Sequence, residues 1–167
     1  MMTSGKAVAI LTGILFILSL STAAFAADEL YGTWSLVSFK LTRVDTGETT
    51  DMFGTAPKGL MTFGRDGRML AVLTGNKRPN VPDATKLTDK DRAELYKTLI
   101  AWGGPYTFDG KTLKFRVDVS WNESWNGTEQ VRQVKFEGKR MTISTGAAAG
   151  ALDGKPRISV FIWERVQ

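Results

Sequence analysis

The sequence predicts an all-β fold: an eight-stranded up-and-down antiparallel barrel with one helix between strands 3 and 4. Three observations carry this. Short runs rich in Val, Ile, Phe, Trp and Thr recur between Gly-containing turns. Asp-Gly stands between apolar runs at Asp66-Gly67 and at Asp109-Gly110, and Gly accepts the positive φ of a tight hairpin without penalty. Only one stretch switches to helical spacing. Eight strands joined mostly by hairpins suit a closed meander, because closure removes exposed edges. A sandwich is the structural alternative.

The elements follow in chain order. A first strand over Tyr31–Val44 ends at the turn Asp45-Thr46-Gly47-Glu48, and a loop runs through Asp51–Lys58. Gly59–Phe63 and Arg68–Thr74 form a hairpin. A polar loop with two prolines, Asn76–Leu87, leads to the helix. Thr88 caps that helix with Asp91 three residues on, a capping-box-like start. Leu95, Tyr96, Leu99 and Ile100 share one of its faces, and Gly103-Gly104-Pro105 stops it. That face is expected to pack on the barrel; the other reading makes the helix a lid over the barrel mouth. Strands then follow over Pro105–Phe108, Thr112–Trp121, Thr128–Phe136, Arg140–Thr145 and Arg157–Val166, with a flexible loop at Gly146–Pro156.

Alternation assigns faces. Leu113, Phe115, Val117, Val119 and Trp121 share one side of the Thr112–Trp121 strand, and Arg116 and Asp118 share the other. The first and last strands carry apolar residues on both faces. Neighbouring strands of that kind predict a covered outer wall, with some of Val37, Phe39, Phe161 and Trp163 outside the barrel. The cover is the helix, the Gly146–Pro156 loop or a second subunit, so a homodimer through this wall is one expectation.

The first 26 residues differ from the rest. Lys6 is the only charge before the apolar run Ala7–Leu20, and small residues end in Ala24-Phe25-Ala26. A charged start, a short apolar run and an A-x-A site define a secretory signal peptide. The run is shorter than the roughly 20 apolar residues of a spanning helix. The expectation is cleavage after Ala26, no stable membrane span afterwards, and export of one domain, residues 27–167, to the periplasm or beyond.

Composition excludes several chemistries. The chain has no His and no Cys. Ser-His and Cys-His nucleophile arrangements are therefore impossible, as are zinc sites built on His or Cys. No cofactor or metal is expected. The formal net charge is +5, but the basic residues are scattered, which reads as a solvated surface and not a nucleic-acid footprint.

A series of motifs runs through the domain: Gly32-Thr33-Trp34-Ser35-Leu36-Val37-Ser38-Phe39, Pro57-Lys58-Gly59, Asp66-Gly67-Arg68-Met69, Arg78-Pro79, Trp125-Asn126-Gly127-Thr128-Glu129-Gln130-Val131-Arg132 and Trp163-Glu164-Arg165. Over nearly all of residues 30–166 this resembles the bacterial and fungal lipocalin-like domain family of the calycin superfamily. The resemblance implies an eight-stranded calycin barrel with a structural signature of Gly32, Trp34 and Arg165, the first-strand Trp packing against an Arg near the closing strand. It implies little about activity; some fungal relatives are thought to act as isomerases or cyclases on hydrophobic intermediates. Counterparts of the second and third motifs of transport lipocalins are missing.

Three functions compete. The leading one is binding of a small hydrophobic or amphipathic molecule in a barrel cavity, with Arg78, Trp102, Tyr106, Trp121, Trp125 and Arg132 as candidate ligand contacts. Trp121 and Trp125 form the barrel-mouth rim in this reading, although aromatics mostly serve packing. Arg132 shares a face with Val134 and Phe136, which places it near the cavity. The second is an isomerase or cyclase. Without His, its acid–base work falls to Asp118, Glu129 or Tyr106, and exposure of both carboxylates would dismiss it. The third is an envelope interaction protein with a filled barrel and an exposed apolar patch.

Overall fold

Hairpin turns fall where the Asp-Gly pairs put them. In the computed structural model, which describes residues 28–149 and 155–166, Gly67 takes a φ of 76° and Gly110 a φ of 96°. Gly67 joins β3 (Lys58–Phe63) to β4 (Arg68–Thr74); Gly110 joins β5 (Leu99–Phe108) to β6 (Thr112–Arg116). The remaining long strands are β1 (Gly32–Arg43), β8 (Glu129–Glu137), β9 (Arg140–Ser144) and β11 (Pro156–Arg165). Three short strands complete the set: β2 (Thr49–Asp51) on β1, β7 (Val119–Ser120) on β5 and β10 (Ala148–Ala149) on β11.

Around the sheet the long strands run β11-β9-β8-β6-β5-β4-β3-β1, and β1 pairs back onto β11. Every pairing is antiparallel. The result is the closed eight-stranded barrel that the sequence predicts, with helix α1 (Asp89–Lys97) between its third and fourth long strands, β4 and β5. Residues 1–26, expected from the sequence to be a signal peptide, lie outside the described residues.

The closure seam is fixed by the G-x-W and W-E-R motifs. Trp34 pairs with Arg165 across β1 and β11. The Arg165 guanidinium lies 4.3 Å from the Trp34 ring centroid and donates to the carbonyls of Tyr31 and Glu29. The Trp34 indole N–H donates to the carbonyl of Leu30 at 2.9 Å. Gly32 sits under this clasp with a φ of 112°, and a Cβ there would lie 3.2 Å from an Arg165 nitrogen. Trp34, Trp163, Leu30 and Met141 are fully buried at this end, and Phe136 packs on Trp34. The end is therefore filled.

The apparent double apolar face of β1 has a different cause from a covered wall. The β1–β11 register shifts between Leu36 and Ser38. This bulge puts Trp34 and Leu36 on the same side as Phe39 beyond it, all three buried. One extra residue changes the parity of every later side chain. Phe39 therefore points inward, as Phe161 and Trp163 do by plain alternation on β11, so of the four residues some of which were expected outside under a cover, three are inside. Only Val37, at the bulge, is outside, and it is exposed at 37%.

Two further expectations are corrected. Helix α1 ends at Lys97, not at Gly103-Gly104, so Leu99, Ile100 and Trp102 belong to β5, paired with Thr74, Leu73 and Ala71. None of its residues is buried, so it does not plug the barrel. Its capping box is as predicted, Thr88 and Asp91 bonding reciprocally. The Thr112–Trp121 strand breaks at Val117-Asp118. Val117 is fully buried, but Val119 turns out to solvent at 60% exposure.

That break explains Gly103-Gly104. The Asp118 N–H donates to the Gly103 carbonyl, and a Cβ on Gly104 would sit 1.9 Å from the Arg116 carbonyl oxygen. Only a missing side chain lets the chain cross there. Replacing Gly104 by Ala is expected to cost about 3 kcal/mol, read from the urea midpoint. Gly146→Ala, which meets open space, should leave the midpoint unchanged.

Candidate functional site

At the end opposite Trp34 the barrel is hollow. A cavity of about 900 Å³ opens there, within the size range of small-molecule sites. Its inner wall is apolar: Phe39, Met61, Met69, Leu113, Ile143 and Phe161 come from six different strands. Phe39 and Phe161 stack at 4.2 Å across the β1–β11 seam, which the bulge makes possible. Met61 and Met69 bring adaptable thioethers to the wall.

A continuous row of aromatic rings descends from the mouth. Tyr96, at the end of α1, lies 6.3 Å from Trp121. Trp121 and Trp125 meet edge to face at 4.7 Å. Trp125 contacts Trp102 at 6.3 Å, and Trp102 stacks on Phe115 at 6.2 Å. A short 3-10 turn, Glu123–Trp125, holds Trp125 in place, with the Asn122 side chain accepting from the Ser124 N–H. All five rings line the cavity. Exposed α1 thus stands at the mouth through Tyr96 and Lys97, the position of a lid.

Arg132 is the deep polar group. On β8 the alternation aims Gln130, Arg132, Val134 and Phe136 to one side, and Arg132 is paired with Leu113. Its guanidinium lies 5.5 Å from the Phe115 centroid. It donates to the Gln130 side-chain oxygen at 3.0 Å and to the Val131 carbonyl at 2.9 Å. Burial pushes its pKa down to about 10, so it is still a cation at neutral pH.

The other candidates lie elsewhere. Arg78 donates to the Thr98 carbonyl at 3.1 Å, and the Tyr106 hydroxyl donates to the Gly64 carbonyl at 2.9 Å; neither residue lines the cavity. Burial pushes the Tyr106 pKa up to about 12, which makes it a poor base near neutrality. Asp118 is exposed and bridges Arg68 and Arg116 at 3.0 and 3.1 Å. The Arg68 hydrogen bond, helped by the charge of Arg116, holds its carboxyl below the ordinary range. Glu129 is exposed on the outer face of β8. The cavity lining contains no Asp or Glu among the described residues, so the acid–base reading has no carboxylate there to act. Sequence reasoning placed Trp102, Trp121, Trp125 and Arg132 at the cavity and missed Phe39 and Phe161, whose inward aim depends on the bulge.

The family model described as a lipocalin-like domain matches residues 31–166. No curated protein matches the chain.

Two outcomes follow from these environments. Arg132 is a half-buried cation with no carboxylate partner, so Arg132→Met should stabilise the ligand-free protein by about 1 kcal/mol or more, seen as a higher Tm. Tyr106 keeps its proton longer in the folded chain than in the unfolded one. Its contribution to stability is full below pH 10 and is lost as pH rises towards about 12. Denaturation across that range should show the loss in the wild type and a smaller one in Tyr106→Phe.

Proposed function

The chain belongs to the lipocalin-like domain family, and we propose that it is an exported protein, cleaved after Ala26, that holds a small hydrophobic or amphipathic molecule inside its barrel. The observation that carries this reading is the hollow of about 900 Å³ with its apolar inner wall and aromatic entrance. Burying apolar ligand surface there gains about 25 cal/mol per Å², so roughly 300 Å² would yield about 7 kcal/mol before the cost of ordering the ligand. The rings from Tyr96 to Phe115 supply contact area on stiff side chains.

The interaction-protein reading has one observation in its favour. Leu60, Leu70, Val72 and Val119 are all exposed on the outer face of β3, β4 and β7, and Leu60 pairs with Val72. That reading also requires a filled barrel. The hollow interior favours the binding reading over it.

The test uses a neutral probe. N-phenyl-1-naphthylamine should gain fluorescence with the wild-type protein and quench its tryptophan emission, since Trp102, Trp121 and Trp125 line the cavity. Ile143→Trp fills the inner wall and should weaken binding by about tenfold, a loss of about 1.4 kcal/mol, while the protein still unfolds cooperatively. Absence of probe binding, or equal binding by the filled variant, would refute a ligand in the barrel.

A further inference from the structure

We propose that the occupant of this cavity is an amphiphile with a single anionic head, a long-chain monocarboxylate, and that Arg132 is the residue that takes its head. The inference rests on the binding reading above and names the ligand class within it.

The argument begins with charge. Lys97, Arg132 and Arg157 line the cavity, and no acidic residue does so among the described residues. Lys97 sits at the mouth and pairs with Glu94 at 3.1 Å. Arg132 is different, because no carboxylate pairs with it. A cation withdrawn from water without a counter-charge is costly, and proteins normally pair such groups. Among the described residues that counter-charge is missing.

The guanidinium is also held in place. Thr128 donates its hydroxyl to the Trp125 carbonyl at 2.7 Å and accepts from the Gln130 amide at 3.0 Å. That orients the Gln130 oxygen towards Arg132, which donates to it. The Phe115 ring supports the guanidinium from one side. Two of its bonds go to Gln130 and Val131, and a guanidinium has five N–H donors, so donors remain for a planar oxyanion. A carboxylate matches that fork.

Trp102 shares the aromatic support of Arg132. The indole N–H of Trp102 is buried and has no hydrogen-bond partner. Trp102 belongs to the same wall and stacks on the same Phe115 ring that Arg132 covers. Its N–H has essentially no water-accessible surface and does not face the hollow, so recognition of the head rests on Arg132 alone. The apolar tail then fills the space bounded by Met61, Met69, Leu113, Ile143 and Phe161.

The experiment compares dodecanoate with dodecan-1-ol, which share the tail and differ in the head. Isothermal titration of the full mature protein should show dodecanoate binding about tenfold or more tightly, the range expected of hydrogen bonds to a charged group. Arg132→Gln should bring the acid-to-alcohol ratio close to one, and Arg132→Lys should restore part of it. Lys114→Gln, on the exposed outer face of β6 and outside the cavity lining, serves as the control for overall charge and should keep the preference. Equal binding of acid and alcohol by the wild type overturns the proposal. So does a preference that survives Arg132→Gln, and so does one abolished by Lys114→Gln. Binding of N-phenyl-1-naphthylamine without binding of dodecanoate rejects the ligand class and leaves the cavity reading standing. Failure of all three probes rejects the cavity reading itself.

Discussion

Everything in this barrel depends on how β1 is stitched to β11. The two strands are the ends of the domain, and their pairing turns an open meander into a closed wall. The stitch is the Trp34–Arg165 pair, with the cation over the ring and its N–H groups spent on the carbonyls of Tyr31 and Glu29. Those carbonyls belong to the segment just before β1, whose Leu30 is fully buried. One arginine therefore ties the last strand, the first strand and the entry segment together. Gly32 is the backbone that fits beneath it. Closing this end with Trp34, Trp163, Leu30 and Met141 leaves the other end free to stay open.

The same seam shapes the cavity. Without the bulge at Val37, strict alternation from Trp34 and Leu36 would send Phe39 outward. With it, Phe39 meets Phe161 face to face inside the barrel. A single inserted residue separates a filled tier from a hollow one along the same two strands. Bulges near sites commonly re-aim a side chain, and here the re-aimed ring is part of the cavity wall.

Much of this was legible in the sequence because it is local. Turns marked by Asp-Gly, the Thr88–Asp91 capping box and the alternation of β6 and β8 depend on neighbours a few residues away. What was hidden depends on partners distant in the chain. Leu99 and Ile100 complete a helical stripe with Leu95 and Tyr96, yet they pair with Thr74 and Leu73 in the sheet. Tertiary pairing overrode the local pattern. Gly103-Gly104 reads as a helix stop, but the reason for Gly104 is the Arg116 carbonyl, which nothing near it in sequence announces. The double apolar face of β1 was a visible signal read as a covered wall, and the register shift between Leu36 and Ser38, which local sequence does not announce, accounts for it. At the site, Arg132 stood out as a cation on an apolar face. Arg78 and Tyr106 did not separate from ordinary structural residues until their hydrogen bonds to Thr98 and Gly64 were seen.

The lining of the cavity has a consequence for control. It contains none of the residue types that ordinarily change charge near neutral pH: the chain has no His or Cys, and no Asp or Glu faces the hollow among the described residues. Such a container keeps the same electrical character from mildly acidic to mildly alkaline surroundings. Among the described residues it holds no proton-driven latch. If the proposed anionic amphiphile is the occupant, acid would act on its head and not on the described lining, and the mouth where α1 stands would be the place for any mechanical release.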